Sequence, residues 1–131
     1  QAIVLKNKMP YIEKWNQSRR NIVKKYEKNI ANERITLPKT HDNVIPTHHV
    51  YCVLVENREN FCKFLDLNNI QWGIHYPQCI EQMEMYKNLS SPNKNAIEYT
   101  EKMVSLPIHP FMTDKDVEYL IEKLNRYGVD E

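Results

Sequence analysis

The side chains best suited to acid–base, nucleophilic or metal chemistry in this sequence are five histidines (His41, His48, His49, His75, His109) and three cysteines (Cys52, Cys62, Cys79). Their spacing excludes most such chemistry. No HExxH run sets two imidazoles on one helix face for a catalytic zinc, and no CxxC pair builds a zinc knuckle or a redox couple. His48 and His49 are adjacent, so on a strand they would point to opposite faces. No metal site is expected. Cys79 follows His75 by four residues, but nothing in the sequence orients a thiol–imidazole pair, and the two read as neighbours rather than as nucleophile and base. Three thiols without a pairing pattern suit reduced, mostly buried cysteines in a reducing compartment.

Glycine usage narrows the field further. The chain has two glycines, Gly73 and Gly128, so no glycine-rich loop can bring backbone amides onto a phosphate, and self-sufficient ATP or NAD binding is excluded. There is no GxSxG turn to expose a serine nucleophile. The net charge of +1 hides an asymmetry: residues 1–31 carry eight bases against two acids, and the remainder is acidic. A basic segment can bind nucleic acid. These bases, however, are spread around a helix without interleaved aromatics to stack on bases, and we expect no nucleic-acid partner.

The elements that must position these groups follow from periodicity. Ile12, Trp15, Arg19, Ile22, Val23, Tyr26 and Ile30 recur at spacings of three and four, the stripe of one long amphipathic helix ending near Asn32. Pro10 lacks an amide hydrogen and should kink or restart that helix, leaving Gln1 to Met9 as a separate turn or two whose Ile3, Val4 and Leu5 need another partner. Thr47 to Val55 is rich in β-branched and aromatic residues and predicts the central strand. Asn57 caps a helix presenting Phe61, Phe64 and Leu65 and ending at Asn68-Asn69. Ile70 to Tyr76 predicts the next strand, with Gly73 permitting close approach of another backbone or a ligand.

Ser91-Pro92 reads as a cap and first helical residue, ahead of a helix through Ala96, Ile97, Thr100, Met103 and Val104 that stops at Ser105. A short strand follows around Leu106 to Pro110. Thr113 with Asp116 forms a capping box for a last helix that buries Val117, Leu120, Ile121, Leu124 and Tyr127 and ends at Gly128. The fold class is therefore α+β: a small antiparallel sheet of about three strands covered by helices and preceded by a long N-terminal helix. At 131 residues the chain fits one domain, 1–131. An apolar fraction of 41% and a charged fraction of 27% are ordinary for a globular domain. No stretch nears the ~20 apolar residues of a membrane span. No signal-peptide layout opens the chain either, so a compact cytoplasmic domain without a membrane partner is expected. Gln1, standing in place of a methionine at the head of an apolar run, reads as a cut inside a longer chain.

Three segments then carry a family likeness. Gln1-Ala2 followed by Trp15, Arg19-Arg20, Ile22 and Tyr26 resembles the "QAA…L..W...RR.I...Y" helix of the DegT/StrS family of sugar aminotransferases. Asn69-Ile70-Gln71-Trp72-Gly73-Ile74-His75-Tyr76-Pro77 resembles that family's "GI....HYP" strand. Ser105-Leu106-Pro107-Ile108-His109-Pro110 is similar to its "SLP..P.LT" segment, and His49-Val50-Tyr51 to its strand opening. The likeness runs across nearly the whole chain.

The resemblance implies the small C-terminal domain of a fold like that of aspartate aminotransferase. Residues 1–32 would then be the helix that leads to a large domain absent from this sequence. It implies a parent enzyme that moves an amino group from glutamate to a keto-sugar on a nucleotide, using pyridoxal phosphate held on a lysine upstream of Gln1. The chain alone would carry no cofactor and no catalytic residue. Its partners would be its own large domain, a second copy in a homodimer, and the nucleotide sugar. His75 and Tyr76 are the positions carried over as substrate-side residues, whereas Arg19 and Arg20 would support the helix surface. The chain departs from the family where HYP usually continues with proline, histidine and glutamine, for it has Cys79, Glu81 and Met83. A carboxylate at Glu81 would repel a nearby diphosphate. The alternative reading is a non-catalytic binding or assembly module derived from the same family.

Overall fold

The computed structural model describes residues 1–86 and 93–129. Helix α1 (Ala2–Lys8) passes through a 3₁₀ turn at Met9–Tyr11, where Pro10 interrupts the hydrogen-bond ladder, into the long helix α2 (Ile12–Asn29). Strand β1 (Ile35–Thr36) and strand β2 (Tyr51–Val55) follow, then helix α3 (Arg58–Leu67) and two 3₁₀ turns at Ile80–Gln82 and Glu84–Tyr86. Helix α4 (Lys94–Lys102), strand β3 (Met103–Leu106) and helix α5 (Asp114–Arg126) complete the order. The three strands form one antiparallel sheet, β1-β2-β3, with Tyr51 opposite Leu106 and Cys52 opposite Ser105. This is the α+β arrangement expected.

Alternation along β2 sets the two faces of the sheet. Tyr51, Val53 and Val55 point inward and join Val104 and Leu106 of β3. Ile22, Val23 and Tyr26 of α2, Phe61 and Leu65 of α3, and Val117, Leu120 and Leu124 of α5 close over them as the core. Cys52 and Leu54 lie on the other, half-covered face. The ends of α2 and α5 are clasped by two asparagines. Asn32 Nδ2 donates to the carbonyls of Leu124 and Tyr127, each at 2.8 Å, while Asn125 accepts from the Ala31 amide and donates to the Asn29 carbonyl. Carbonyls that helix ends leave unpaired are thereby satisfied across the junction.

Helix caps match their sequence signals. Asn57 accepts from the Asn60 amide at 3.0 Å, and Thr113 and Asp116 bond each other's amides as a capping box. At Gly128 the backbone takes φ +70°, which glycine adopts without a Cβ penalty. Tyr127 and Ile121 are only partly buried against the core.

Four expectations are corrected. Thr47 to Val50 do not extend β2: His48 sits at φ +48° and the Thr47 carbonyl is taken by Arg19 Nε at 2.9 Å, so pairing starts at Tyr51. The predicted strand Ile70 to Tyr76 is reduced to one bridge, Gly73 to Ser105. Its first residues are spent closing α3, with Asn69 at φ +54°, its amide on the Asp66 carbonyl and the Ile70 amide on the Leu65 carbonyl, a Schellman closure. Met103 and Val104 belong to β3 rather than to the preceding helix, because pairing with Leu54 and Val53 buries Val104 completely. The last helical turn of α2 ends at Asn29, short of Asn32. The cap expected at Ser91-Pro92 lies outside the described residues, and α4 is capped by Asn93, whose side chain accepts from the Ala96 amide. Among the described residues no helix is long and apolar enough to cross a membrane.

Candidate functional site

The sheet register builds the site. Ser105 and Cys52 are register partners, so their side chains share the face turned away from the core, and Cys52 Sγ lies 3.2 Å from Ser105 Oγ. On the other side of β3 the Gly73 amide donates to the Ser105 carbonyl at 3.1 Å, and the Ser105 amide donates to the Gly73 carbonyl at 2.8 Å. That pair of hydrogen bonds fixes Gly73 at the sheet edge, and the His75 ring turns back toward it. Nδ1 of His75 is hydrogen-bonded to Ser105 Oγ at 2.9 Å. Gly73 leaves room for the ring, since a Cβ there would meet His75 Cε1 at 3.0 Å.

His75 lines a shallow cleft of about 350 Å³ together with His49, Trp72, Gly73, Ser105 and His109. Three of the five histidines thus reach one surface, although they are 26 and 34 positions away from each other along the chain. Among the described residues no group of three or more His, Cys, Asp or Glu side chains is placed to hold a metal ion. Trp72 is fixed at the cleft wall by its Nε1, which donates to Asp66 at 2.8 Å. His48 turns away from the cleft and meets the Tyr51 ring edge-on, and burial pulls its pKa down from 6.5.

Of the two carried-over residues, His75 lines the cleft and Tyr76 does not. Tyr76 is 73% exposed and touches the site through its ring, edge-on to His75 at 6.2 Å; the peptide between the two is cis. Cys79 forms no pair with His75: its sulfur accepts from the Gln82 amide, and Gln82 Oε1 accepts from the Cys79 amide at 3.0 Å. Glu81 is tied to the Asn93 amide at 2.9 Å, and backbone amides hold its carboxyl below the usual range. It does not line the His75 cleft. Arg19 bonds the Thr47 carbonyl and Asn16, which braces α2 against the loop beside it, and Arg20 pairs with Glu13 and Gln17 along α2 itself.

Ser105, Cys52, His49 and His109 were not singled out for this cleft by the sequence. The signals that could have found them are Gly73, two residues before His75, and the serine that opens the SLP segment.

The pyridoxal phosphate implied by the resemblance needs a lysine that is desolvated and placed in a pocket. No described lysine is buried, and none lines the His75 cleft. Lys102 is held firmly charged by hydrogen bonds to Glu56 and Glu98, each at 2.9 Å, which push its pKa up. The described residues therefore do not by themselves fit the covalent site of that cofactor.

The chain is 36% identical over 129 residues to dTDP-3-amino-3,6-dideoxy-alpha-D-galactopyranose transaminase of Aneurinibacillus thermoaerophilus, covering 98% of itself and 36% of that protein. It is 28% identical over 116 residues to dTDP-3-amino-3,4,6-trideoxy-alpha-D-glucose transaminase of Streptomyces venezuelae, covering 86% of itself and 31% of the relative. In fold it superposes on the crystal structure of S. venezuelae DesV with a TM-score of 0.89 at 24% identity, over 97% of this chain and 35% of that one. The chain thus spans about a third of the length of the relatives it matches. Residues 1–125 match one family across these segments, and the chain belongs to the DegT/DnrJ/EryC1/StrS aminotransferase family.

Proposed function

We propose that this chain is the C-terminal small domain of a pyridoxal-phosphate-dependent aminotransferase. That parent would transfer an amino group from glutamate to a keto-sugar carried on a nucleotide. In this reading the lysine and the cofactor contacts come from a large domain, the active unit is a cytoplasmic homodimer, and the chain alone is catalytically silent. His75 and Tyr76 are its substrate-side residues, with His75 lining the cleft and Tyr76 beside it, both exposed.

The observation that carries the reading is the family match across residues 1–125 by a chain that spans about a third of relatives named as dTDP-sugar transaminases.

Two measurements test it. Titration of the 131-residue chain with pyridoxal phosphate, followed by borohydride reduction, is expected to leave its lysines unlabelled. Stoichiometric labelling of one lysine would overturn the division of labour. The parent reading frame, expressed whole, is expected to convert glutamate to 2-oxoglutarate only when a nucleotide-linked keto-sugar is present. Absence of that dependence, with cofactor bound, would sink the assignment of substrate.

A further inference from the structure

Three polar groups form one line: the half-buried Cys52 thiol, the buried Ser105 hydroxyl and Nδ1 of the exposed His75, at 3.2 and 2.9 Å. Ser105 is 5% exposed, so its hydroxyl has these two partners rather than bulk water. Between them the thiol and the hydroxyl carry two protons, and a buried donor left without an acceptor is costly.

Two proton arrangements let the Ser105 hydroxyl donate to one of these partners. In one, the Cys52 thiol donates to Ser105 Oγ, the Ser105 hydroxyl donates to His75 Nδ1, and every proton in the chain is used. In the other, His75 Nδ1–H donates to Ser105 Oγ, the hydroxyl must turn to the sulfur, a weak acceptor, and the thiol proton is left over. The first arrangement satisfies more groups with better partners. Gly73 holds the ring in register for it, since the ring packs within 3.0 Å of where a Cβ would stand and the Gly73 amide and carbonyl are both bonded to Ser105.

We propose that Ser105 is a positioning residue for His75: its hydroxyl donates to Nδ1 and fixes the neutral ring as the Nε2–H tautomer, which presents a hydrogen-bond donor to an acceptor oxygen of the ligand in the cleft. Nε2 has no partner among the described residues, which leaves it for the ligand. Cys52 acts one step further back, by orienting the serine hydroxyl. The consequence for substrate rests on the reading of His75 as a substrate-side residue, but the proton arrangement itself does not.

The experiment is therefore done on the ligand-free chain. Long-range proton–nitrogen correlation spectra of the ¹⁵N-labelled protein, at a pH where the rings are neutral, read the tautomer of each histidine, with the exposed His41 as internal control. His75 is expected to favour the Nε2–H form more strongly than His41 by about two- to tenfold, the range that one neutral hydrogen bond supplies. Ser105→Ala is expected to return His75 to the ratio of His41, and Ser105→Thr, which keeps a hydroxyl, to restore it. A proton on Nδ1 in the unmodified chain, or a ratio equal to that of His41, would overturn the proposal without any variant. So would a ratio that Ser105→Ala leaves unchanged. None of these outcomes depends on a sugar nucleotide, so failure here is separate from failure of the proposed activity.

Discussion

The rings of Tyr26 and Tyr51 meet in the core with centroids 5.4 Å apart and planes tilted by 51°, yet their hydroxyls differ in fate. Tyr26 donates to the Pro107 carbonyl at 2.8 Å, which ties α2 to the segment after β3. The Tyr51 hydroxyl is equally buried and has no partner among the described residues. The two rings contribute comparable packing, so the difference isolates the hydrogen bond. Tyr26→Phe is expected to lower stability by about 1–2 kcal/mol, because the Pro107 carbonyl loses its donor, whereas Tyr51→Phe is expected to be neutral or stabilising. Urea unfolding midpoints of the two variants check this, and an equal loss in both would show that Tyr51 has a bonding partner in solution.

The same pair makes a prediction about alkali. Burial holds both phenols above their ordinary pKa of 10.0, with Tyr51 adding to the effect at Tyr26 and Glu27 at Tyr51. A group whose folded pKa is raised contributes stability that is complete below its unfolded pKa and is lost as pH rises toward the folded value. Stability is thus expected to be flat with respect to these groups below about pH 10 and to fall above it. Denaturation curves across that range should show a shallower fall in the Tyr26→Phe, Tyr51→Phe double variant. An unchanged slope would contradict the burial of these phenols.

The asparagine clasp between α2 and α5 is exposed enough to look dispensable, and its geometry argues otherwise. Asn32→Ala removes two bonds of 2.8 Å to the carbonyls of Leu124 and Tyr127. The expected cost is about 1–3 kcal/mol from two neutral bonds. Amide hydrogen exchange should localise the loosening to the C-terminal turns of these helices, and protection unchanged there would refute the clasp.

If the proposed parent enzyme uses His75 to bind its sugar nucleotide, His75→Ala is expected to raise KM about two- to tenfold with little change in kcat, the effect of losing one substrate hydrogen bond. Tyr76→Phe should behave likewise. Steady-state kinetics separate this from a proton-transfer role, which would lower kcat by about a hundredfold or more. No change in either parameter would mark both residues as structural.

How much of this was legible in the sequence depended on the range of the interactions involved. The capping signals at Asn57 and at Thr113 with Asp116 are local, and the structure uses both as written. The α3 exit was harder to place, because Asn69 and Ile70 serve the helix end although their composition suits a strand. Met103 and Val104 fit a helical stripe equally well, and only pairing with a strand some fifty positions earlier decides their state. Strand β1 has two residues, too few for alternation to register. His75 was found through the HYP likeness. Its support was not, since Cys52, Gly73 and Ser105 come together only when the sheet register is known.

The single bridge at Gly73 also bears on how the molecule avoids its neighbours. An open sheet offers two rows of unpaired backbone groups on which a strand from another chain can grow. Here Gly73 takes both the amide and the carbonyl of Ser105 in the middle of β3, and at the opposite margin β1 is two residues long. On the β3 side the bridge that seats His75 thus also breaks up the row on which a foreign strand could grow.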